Sequence, residues 1–338
     1  MQTFEIHNRR YLGSKTRLLE LIESVVRTEC KRMDTFADLF AGTGVVSNSF
    51  FKSTKIIVND ILLSNYHSYI SWFDKRRVSR KKLNQIIDRV NQAKSIRSNY
   101  FSKNFAGTYF SKGDCLRIGF FRDMVEDLFA CKEINSRERS ILITSIIYSA
   151  DRAANTCGHY DAYRMTKNKR DSIIFQLPNY NTSTNVQAEI FREDANKLAK
   201  KIKSDVVYID PPYNSRQYSD TYHLLENIAD WKKEKVFGTA KKIKDRSAIK
   251  SIYCTIKANN AFRDLIDSID AKYIIVSFNN MEKRGNHRSH SKISGEEITD
   301  ILSQRGRLKI FKNDFKQFTT GKTNKEDHKE ILYVCKTK

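Results

Sequence analysis

The chain has 338 residues, with 61 Lys and Arg against 39 Asp and Glu, and a formal charge of +22 at pH 7. At 40% hydrophobic residues, 3 Pro and 12 Gly, it is too apolar for a disordered chain and too poor in Pro and Gly for a collagen-like or linker architecture. Its length suits one large α/β domain with an insertion, or two ordinary domains. So large a positive surplus repels itself unless a polyanion relieves it, which points to nucleic acid first and to an anionic membrane surface second.

The first predicted element is a helix over 14–27. Leu18, Leu19, Leu21, Ile22, Val25 and Val26 recur at helical spacing there, and Ser14 is placed as the N-cap. Thr35 to Phe40 reads as a strand running into Ala41-Gly42-Thr43-Gly44, with a helix expected from Val45 to Lys52. A second β-branched run, Lys55 to Val58, stops at Asn59-Asp60. This is a strand–turn–helix–strand unit of the nucleotide-binding kind.

From Lys75 to Lys103 the character changes, with ten Lys and Arg against one acid, Asp88. Ser136 to Ala154 returns to a helical pattern. Its Ser140–Ala150 stretch is the most apolar in the chain, but it falls short of the ~18 apolar residues that span a bilayer. Asn155 to Asn185 is polar and predicts an extended loop, and Glu189 to Lys203 reads as helical or partly so. Asp205 to Ile209 is a continuous apolar run, as in a buried parallel strand, and it ends at Asp210-Pro211-Pro212-Tyr213. Next come a helical stretch, Thr221 to Trp231, and a second basic block. Lys232 to Lys257 holds nine Lys and Arg against two acids. Lys272 to Phe278 predicts a strand, Glu296 to Leu302 a helix, and Leu308–Phe311 and Ile331–Cys335 a closing pair of strands.

Strands thus alternate with helices at both ends of the chain and not in the middle. The expected fold is α/β: a doubly wound, Rossmann-like sheet over 1–73 and 188–338, with an inserted, mainly helical module over 74–187. The six cysteines include no CxxC pair, so no disulfide framework and no metal site are expected. Cys157 and His159 lack a partner cluster that would make them ligands. The polar, basic stretch Gln2 to Arg10 has no apolar core of a signal peptide. A cytoplasmic protein with no membrane partner is the expectation.

Two motifs carry chemistry. In Phe40-Ala41-Gly42-Thr43-Gly44 the glycines let the backbone turn tightly and approach a ligand, and Asp60 at the end of the next strand can hydrogen-bond ribose hydroxyls. Val45, Val46 and Ser47 follow where a dinucleotide fingerprint would carry its third glycine. In the second motif an acid ends a buried strand, two prolines fix the backbone, and an aromatic ring follows. The Asp210 carboxylate and the Pro211 carbonyl are two acceptors beside a stacking face, an arrangement suited to a planar aromatic amine. A third element, Tyr11-Leu12-Gly13-Ser14-Lys15, is uninformative by itself.

Together these residues resemble the Dam-like class of adenine-specific DNA amino-methyltransferases, which use S-adenosyl-L-methionine. The resemblance covers roughly 7–65 and 188–335. It implies that Tyr11 and Lys15 contact the cofactor, with Tyr11 where relatives often carry Trp. It implies further that Phe40, Gly42 and Gly44 line the cofactor, Asp60 holds its ribose, and Asp194 lies near its adenine. Asp210, Pro211, Pro212 and Tyr213 would be catalytic. The middle of the chain takes the position of a target-recognition module, in which Asn155, His159, Tyr160, Tyr163 and Arg164 are candidates for holding double-stranded DNA. An acid in first place of the tetrapeptide favours adenine over cytosine. A cognate restriction endonuclease is implied as a functional partner. RNA as the substrate, or a catalytically silent DNA-binding protein on the same fold, remain the alternatives.

Overall fold

The computed structural model describes residues 2–156, 158–164, 171–182, 187–279, 291–314 and 329–338. Seven strands form the central sheet: β1 (Thr35–Asp38), β2 (Lys55–Asn59), β3 (Ala188–Phe191), β4 (Lys203–Ile209), β5 (Asp270–Asn279), β6 (Gly306–Asp314) and β7 (Lys329–Thr337). Their order across the sheet is β3-β2-β1-β4-β5-β7-β6. β7 runs antiparallel to both its neighbours, and every other pairing is parallel. The order reverses between β1 and β4, and in open α/β sheets ligands bind beyond the carboxyl ends of the strands at such a switch point.

The strands alternate faces residue by residue, so each feeds two cores. Phe36, Val206, Tyr208 and Ile275 point to one face, while Ala37, Val207, Ile209 and Ile274 point to the other. Against the first face pack α1 (Leu19–Glu29), α2 (Val45–Phe50) and α3 (Leu63–Phe73). The same core takes in α4 (Arg80–Gln92), α5 (Tyr100–Phe105), α6 (Lys112–Ala130) and α7 (Ser136–Ala153). Helix α7 is buried on all sides from Ser140 to Asp151, which explains its apolar sequence: it is the centre of a helical layer. Each fully buried Ile or Leu there contributes about 1.5–3 kcal/mol.

Short helices α8 (Ala195–Ala199) and α9 (Tyr218–Thr221) flank the site, and α10 (His223–Asp230) packs with the first helical layer. Helices α11 (Ala258–Ser268) and α12 (Gly295–Arg305) cover the second face. A capping box from Ser294 and Glu297 fixes the start of α12.

Two sequence expectations are sharpened. Glu189–Lys203 is helical only in part: β3 occupies Ala188–Phe191 and α8 follows. Strand β3 pairs only with β2, and all four of its residues are partly exposed. An edge strand of this kind has no apolar run to announce it. The turn beginning the first helix is 3-10 over Lys15–Leu18, with Ser14 Oγ accepting the Thr16 N–H. The second basic block contains a small antiparallel hairpin, Val236–Phe237 against Lys242–Ile243. No described helix is long and apolar enough to cross a membrane.

Candidate active site

The glycine turn follows β1. Gly42 and Gly44 have φ of +54° and +83°, a region costly for residues with a Cβ. Space is also short, since a Cβ on Gly42 would come within 2.8 Å of the Tyr11 ring. The turn is fastened from several sides. Gly44 N–H donates to Ala41 O at 2.7 Å, Ala41 N–H to Asn59 O at 2.9 Å, and Tyr69 Oη to Gly42 O at 2.7 Å. Asp60 accepts the N–H groups of Gly42 at 3.0 Å and Leu62 at 2.8 Å. The Asn59 side chain donates to Leu39 O and Glu193 O and accepts the Glu193 N–H, which joins the ends of β1, β2 and β3.

Above these strand ends lies an open cleft of about 920 Å³, counted together with the solvent space at its mouth. Its lining includes Tyr11, Lys15, Phe40, Gly42, Asp60, Asp194, Asp210 and Pro212, so most of the residues predicted from sequence meet there. Asp194 also caps α8 by accepting the Lys197 N–H. Gly44, Pro211 and Tyr213 stand just outside the lining. The Tyr213 ring meets Phe278 edge-on at 4.9 Å, and its hydroxyl donates to Ser277 O.

The N-terminal loop reaches the cleft because tyrosines of α9 and α10 hold it. Tyr222 stacks on Tyr11 at 4.8 Å and its hydroxyl accepts the Leu12 N–H at 2.7 Å, while Tyr218 Oη donates to Leu12 O. Lys15 is thereby set between two carboxylates: its Nζ is 3.2 Å from Asp210 Oδ1 and 2.6 Å from Glu330 Oε1.

Burial pushes three acids of this region upward. Asp210 is raised to about 6, chiefly by burial, with Lys15 opposing and Glu330 reinforcing the rise. Asp60 is raised to about 6 by burial, against the backbone N–H bonds it accepts. Asp38 reaches about 8, again through burial, with the Ser47 hydroxyl bond opposing. The Lys15 ammonium is held above its usual range: burial lowers it, and the two carboxylates outweigh that.

Sequence reasoning missed several lining or supporting groups: Asp38, Gln217, Tyr218, Tyr253 and Glu330. Asp38 was visible as an acid inside an otherwise apolar strand, and Glu330 as a single acid opening the last apolar run. Tyr253 is edge-on to Phe40 at 5.1 Å, and the strap that carries it is fixed by Gln217, which exchanges two hydrogen bonds with the Ser251 backbone. Part of the second basic block is therefore a wall of the cleft.

The candidates in 155–164 lie away from the cleft lining. Tyr160 is fully buried, with its hydroxyl bonded to Asp151, and Tyr163 packs edge-on against Tyr109. Asn155 and Arg164 close the segment on itself through the Asn155 side chain and the Arg164 carbonyl. His159 lies 3.9 Å from Asp161. Cys157 falls outside the described residues. Among the described residues no cluster of three or more His, Cys, Asp or Glu is gathered as for a metal ion.

A mostly parallel sheet with a glycine turn after β1 and an Asp-Pro-Pro-Tyr corner after its neighbour β4 is the layout of an amino-methyltransferase. The chain belongs to the D12 class of N6 adenine-specific DNA methyltransferases, whose family model matches residues 11–285. It is 32% identical over 345 residues to modification methylase StsI of Streptococcus sanguinis, covering 96% of this chain and 51% of that protein. To the Type II methyltransferase M.FokI of Planomicrobium okeanokoites it is 29% identical over 351 residues, covering 97% and 52%. The chain thus spans about half the length of these two relatives. With the Type II methyltransferase M.NlaIII of Neisseria lactamica the identity is 28% over 337 residues, covering 94% of this chain and 95% of that protein.

Proposed function

We propose that this chain transfers a methyl group from S-adenosyl-L-methionine to the exocyclic amine of adenine in double-stranded DNA, at a defined sequence, as the modification activity of a restriction–modification system. The observation that carries the reading is the placement of Asp210 and Pro212 in the wall of the same cleft as Gly42, Asp60 and Lys15. The donor suits the residues present. Asp38 lines the cleft with its Oδ1 buried and, among the described residues, without a hydrogen-bond partner, an acceptor matched to the ammonium of an amino acid. Tyr11, Lys15, Phe40, Gly42 and Gly44 would hold the remainder, with Asp60 and Asp194 toward the ribose and adenine.

When bound, the donor supplies an electrophilic methyl group on a sulfonium. The residues of the chain make the amine able to take it. An exocyclic aromatic amine is a poor nucleophile because its lone pair is delocalised into the ring. The Asp210 carboxylate and the Pro211 carbonyl accept its two N–H bonds, favour a pyramidal nitrogen and free the lone pair. Tyr213 stacks on the base. In the transfer the methyl–sulfur bond would break, leaving a neutral thioether, as the N–C bond forms, and the cationic nitrogen would shed one proton, which Asp210 is placed to receive. Positioning and fixed acceptors supply the acceleration. The base must leave the duplex, at a cost of a few kcal/mol, and the basic surface supplies phosphate contacts. The module over 74–187 is proposed to read the target, with Asn155, His159, Tyr160, Tyr163 and Arg164 near the segment that does so. Work on chromosomal DNA places the protein in the cytoplasm, at the nucleoid when bound, with a cognate endonuclease as functional partner.

The test is incubation with S-adenosyl-L-methionine and unmethylated duplex DNA, followed by mass spectrometry of the digested nucleosides. N6-methyldeoxyadenosine is the expected product. Methylated deoxycytidine would overturn the adenine assignment, and modification of RNA alone would overturn the DNA assignment.

A further inference from the structure

Glu330 belongs to neither motif, yet it is the nearer of the two partners of Lys15. It is the second residue of β7, opposite Asn279 of β5, and is 3% exposed. Its Oε1 accepts from Lys15 Nζ at 2.6 Å and from Ser277 Oγ at 3.0 Å. Asp210 Oδ1 takes the longer contact, 3.2 Å, and its side chain remains 19% exposed.

We propose that Glu330 is a positioning residue for methyl transfer, holding the Lys15 ammonium back from full pairing with Asp210 so that the Asp210 carboxylate stays free to accept the substrate amine. The inference rests on the reading of Asp210 as that acceptor. Two extremes show why a third charge matters. A carboxylate paired closely with an ammonium is a weaker acceptor for a neutral amine, because the cation draws its charge and occupies one of its two oxygens. A carboxylate left in a desolvated cleft with no cation takes up a proton and presents a donor instead. One ammonium shared between two carboxylates avoids both.

The groups facing Asp210 come from every element around it. They are Lys15 on the 3-10 turn, Glu330 on β7, Asp38 at the end of β1, and the tyrosines Tyr208, Tyr213 and Tyr218. Burial pushes all three tyrosines well above their usual range, so they stay neutral while Asp210 titrates. Lys15 favours its ionised form and Glu330 opposes it.

Wild-type turnover on duplex DNA is measured first. Without it the functional reading fails, and this proposal with it; with it, the following titration decides on Glu330 alone. The full chain is labelled with 13C at aspartate Cγ, the Asp210 resonance is identified by its loss in Asp210→Asn, and its midpoint is followed with pH. In Glu330→Gln the midpoint falls below that measured for wild type, because a like charge that raises Asp210 is gone, the acid limb of kcat moves with it, and kcat drops by about tenfold or more. Glu330→Asp, which keeps the charge, restores part of both. An unchanged Asp210 midpoint in Glu330→Gln overturns the proposal, even if activity is lost. Should Glu330→Gln not fold, Glu330→Asp is compared with wild type: its shorter side chain draws the Lys15 ammonium less far from Asp210, so the Asp210 midpoint and kcat both fall part-way, and a midpoint equal to that of wild type overturns the proposal.

Discussion

The Asp60 carboxylate accepts the Gly42 N–H at 3.0 Å, tying the end of β2 to the glycine turn that follows β1. A residue predicted from sequence to grip a ribose is thus also a brace for the turn beside it. Its second oxygen accepts the Leu62 N–H. Asp60→Ala removes two hydrogen bonds to an ionisable acceptor. It should cost about 2–4 kcal/mol in denaturant unfolding and weaken S-adenosyl-L-methionine binding by calorimetry more than tenfold. Unchanged stability would show that the turn holds without the brace.

Asp210→Ala should abolish methyl transfer, by a factor of about 100 or more, while calorimetric binding of S-adenosyl-L-methionine survives. Near-normal turnover in this variant would refute the proposed scheme.

Gly42→Ala and Gly238→Ala make a matched pair. Both positions have positive φ, +54° and +69°, so each pays a conformational cost of about 1–2 kcal/mol. Only at Gly42 does the new methyl group also strike a ring, that of Tyr11, while nothing lies within 4 Å at Gly238. Gly42→Ala should therefore lose donor affinity and unfold more readily than Gly238→Ala. Equal unfolding curves would mean that the Tyr11 ring yields freely.

Asp38 gives a stability prediction with a defined sign. Its pKa is raised in the fold to about 8, above the usual carboxylate value near 4. The folded state therefore binds the proton more tightly than the unfolded chain. The resulting stability is full below about pH 4 and is lost as pH rises through about 8. Asp38→Asn removes this dependence. Its melting temperature relative to wild type should rise between pH 5 and pH 8, as read by thermal denaturation of the ligand-free protein. A constant difference across that interval would count against a neutral Asp38.

DNA affinity should fall steeply with salt, by about 10³–10⁵ between 50 and 200 mM if six to ten phosphates are contacted. Much of the second basic block is already engaged within the protein: Lys232 with Asp230, Lys233 with Asp123, Lys242 with Asp161, and Arg246 with Asp220. A shallow slope in a filter-binding or anisotropy series would show that the +22 surplus is not directed at phosphate.

The parts of the fold that were legible in the sequence are those in which a buried strand is continuous and apolar. β1, β2 and β4 each bury most of their residues and β5 buries the five-residue run Ile274–Phe278, so their sequences carry the signal without help from partners. β3 failed because an edge strand needs only one good face, and Ala188-Glu189-Ile190-Phe191 offers a mixed one. The 3-10 turn at Lys15 follows from the tyrosines of α9 and α10 that clamp the loop before it, and those lie about two hundred residues away. The glycine turn and the Asp-Pro-Pro-Tyr corner are local devices and could be read directly. Asp38 and Glu330 could not be given a place, because each matters through what another strand sets beside it: Asp38 through β4, and Glu330 through Lys15 and β5.

Strand β7 enters the sheet between β5 and β6. Strand β6 precedes it in the chain and has no other hydrogen-bonding neighbour in the sheet. During synthesis, then, residues 306–314 emerge with nowhere to dock, and Lys15 and Asp210 face each other without a third charge until residue 330 has been made. Sheet closure and completion of the Lys15 cluster become one event in time. From residue 213 until residue 330 a growing chain carries both recognisable motifs and still lacks the arrangement proposed to make them work.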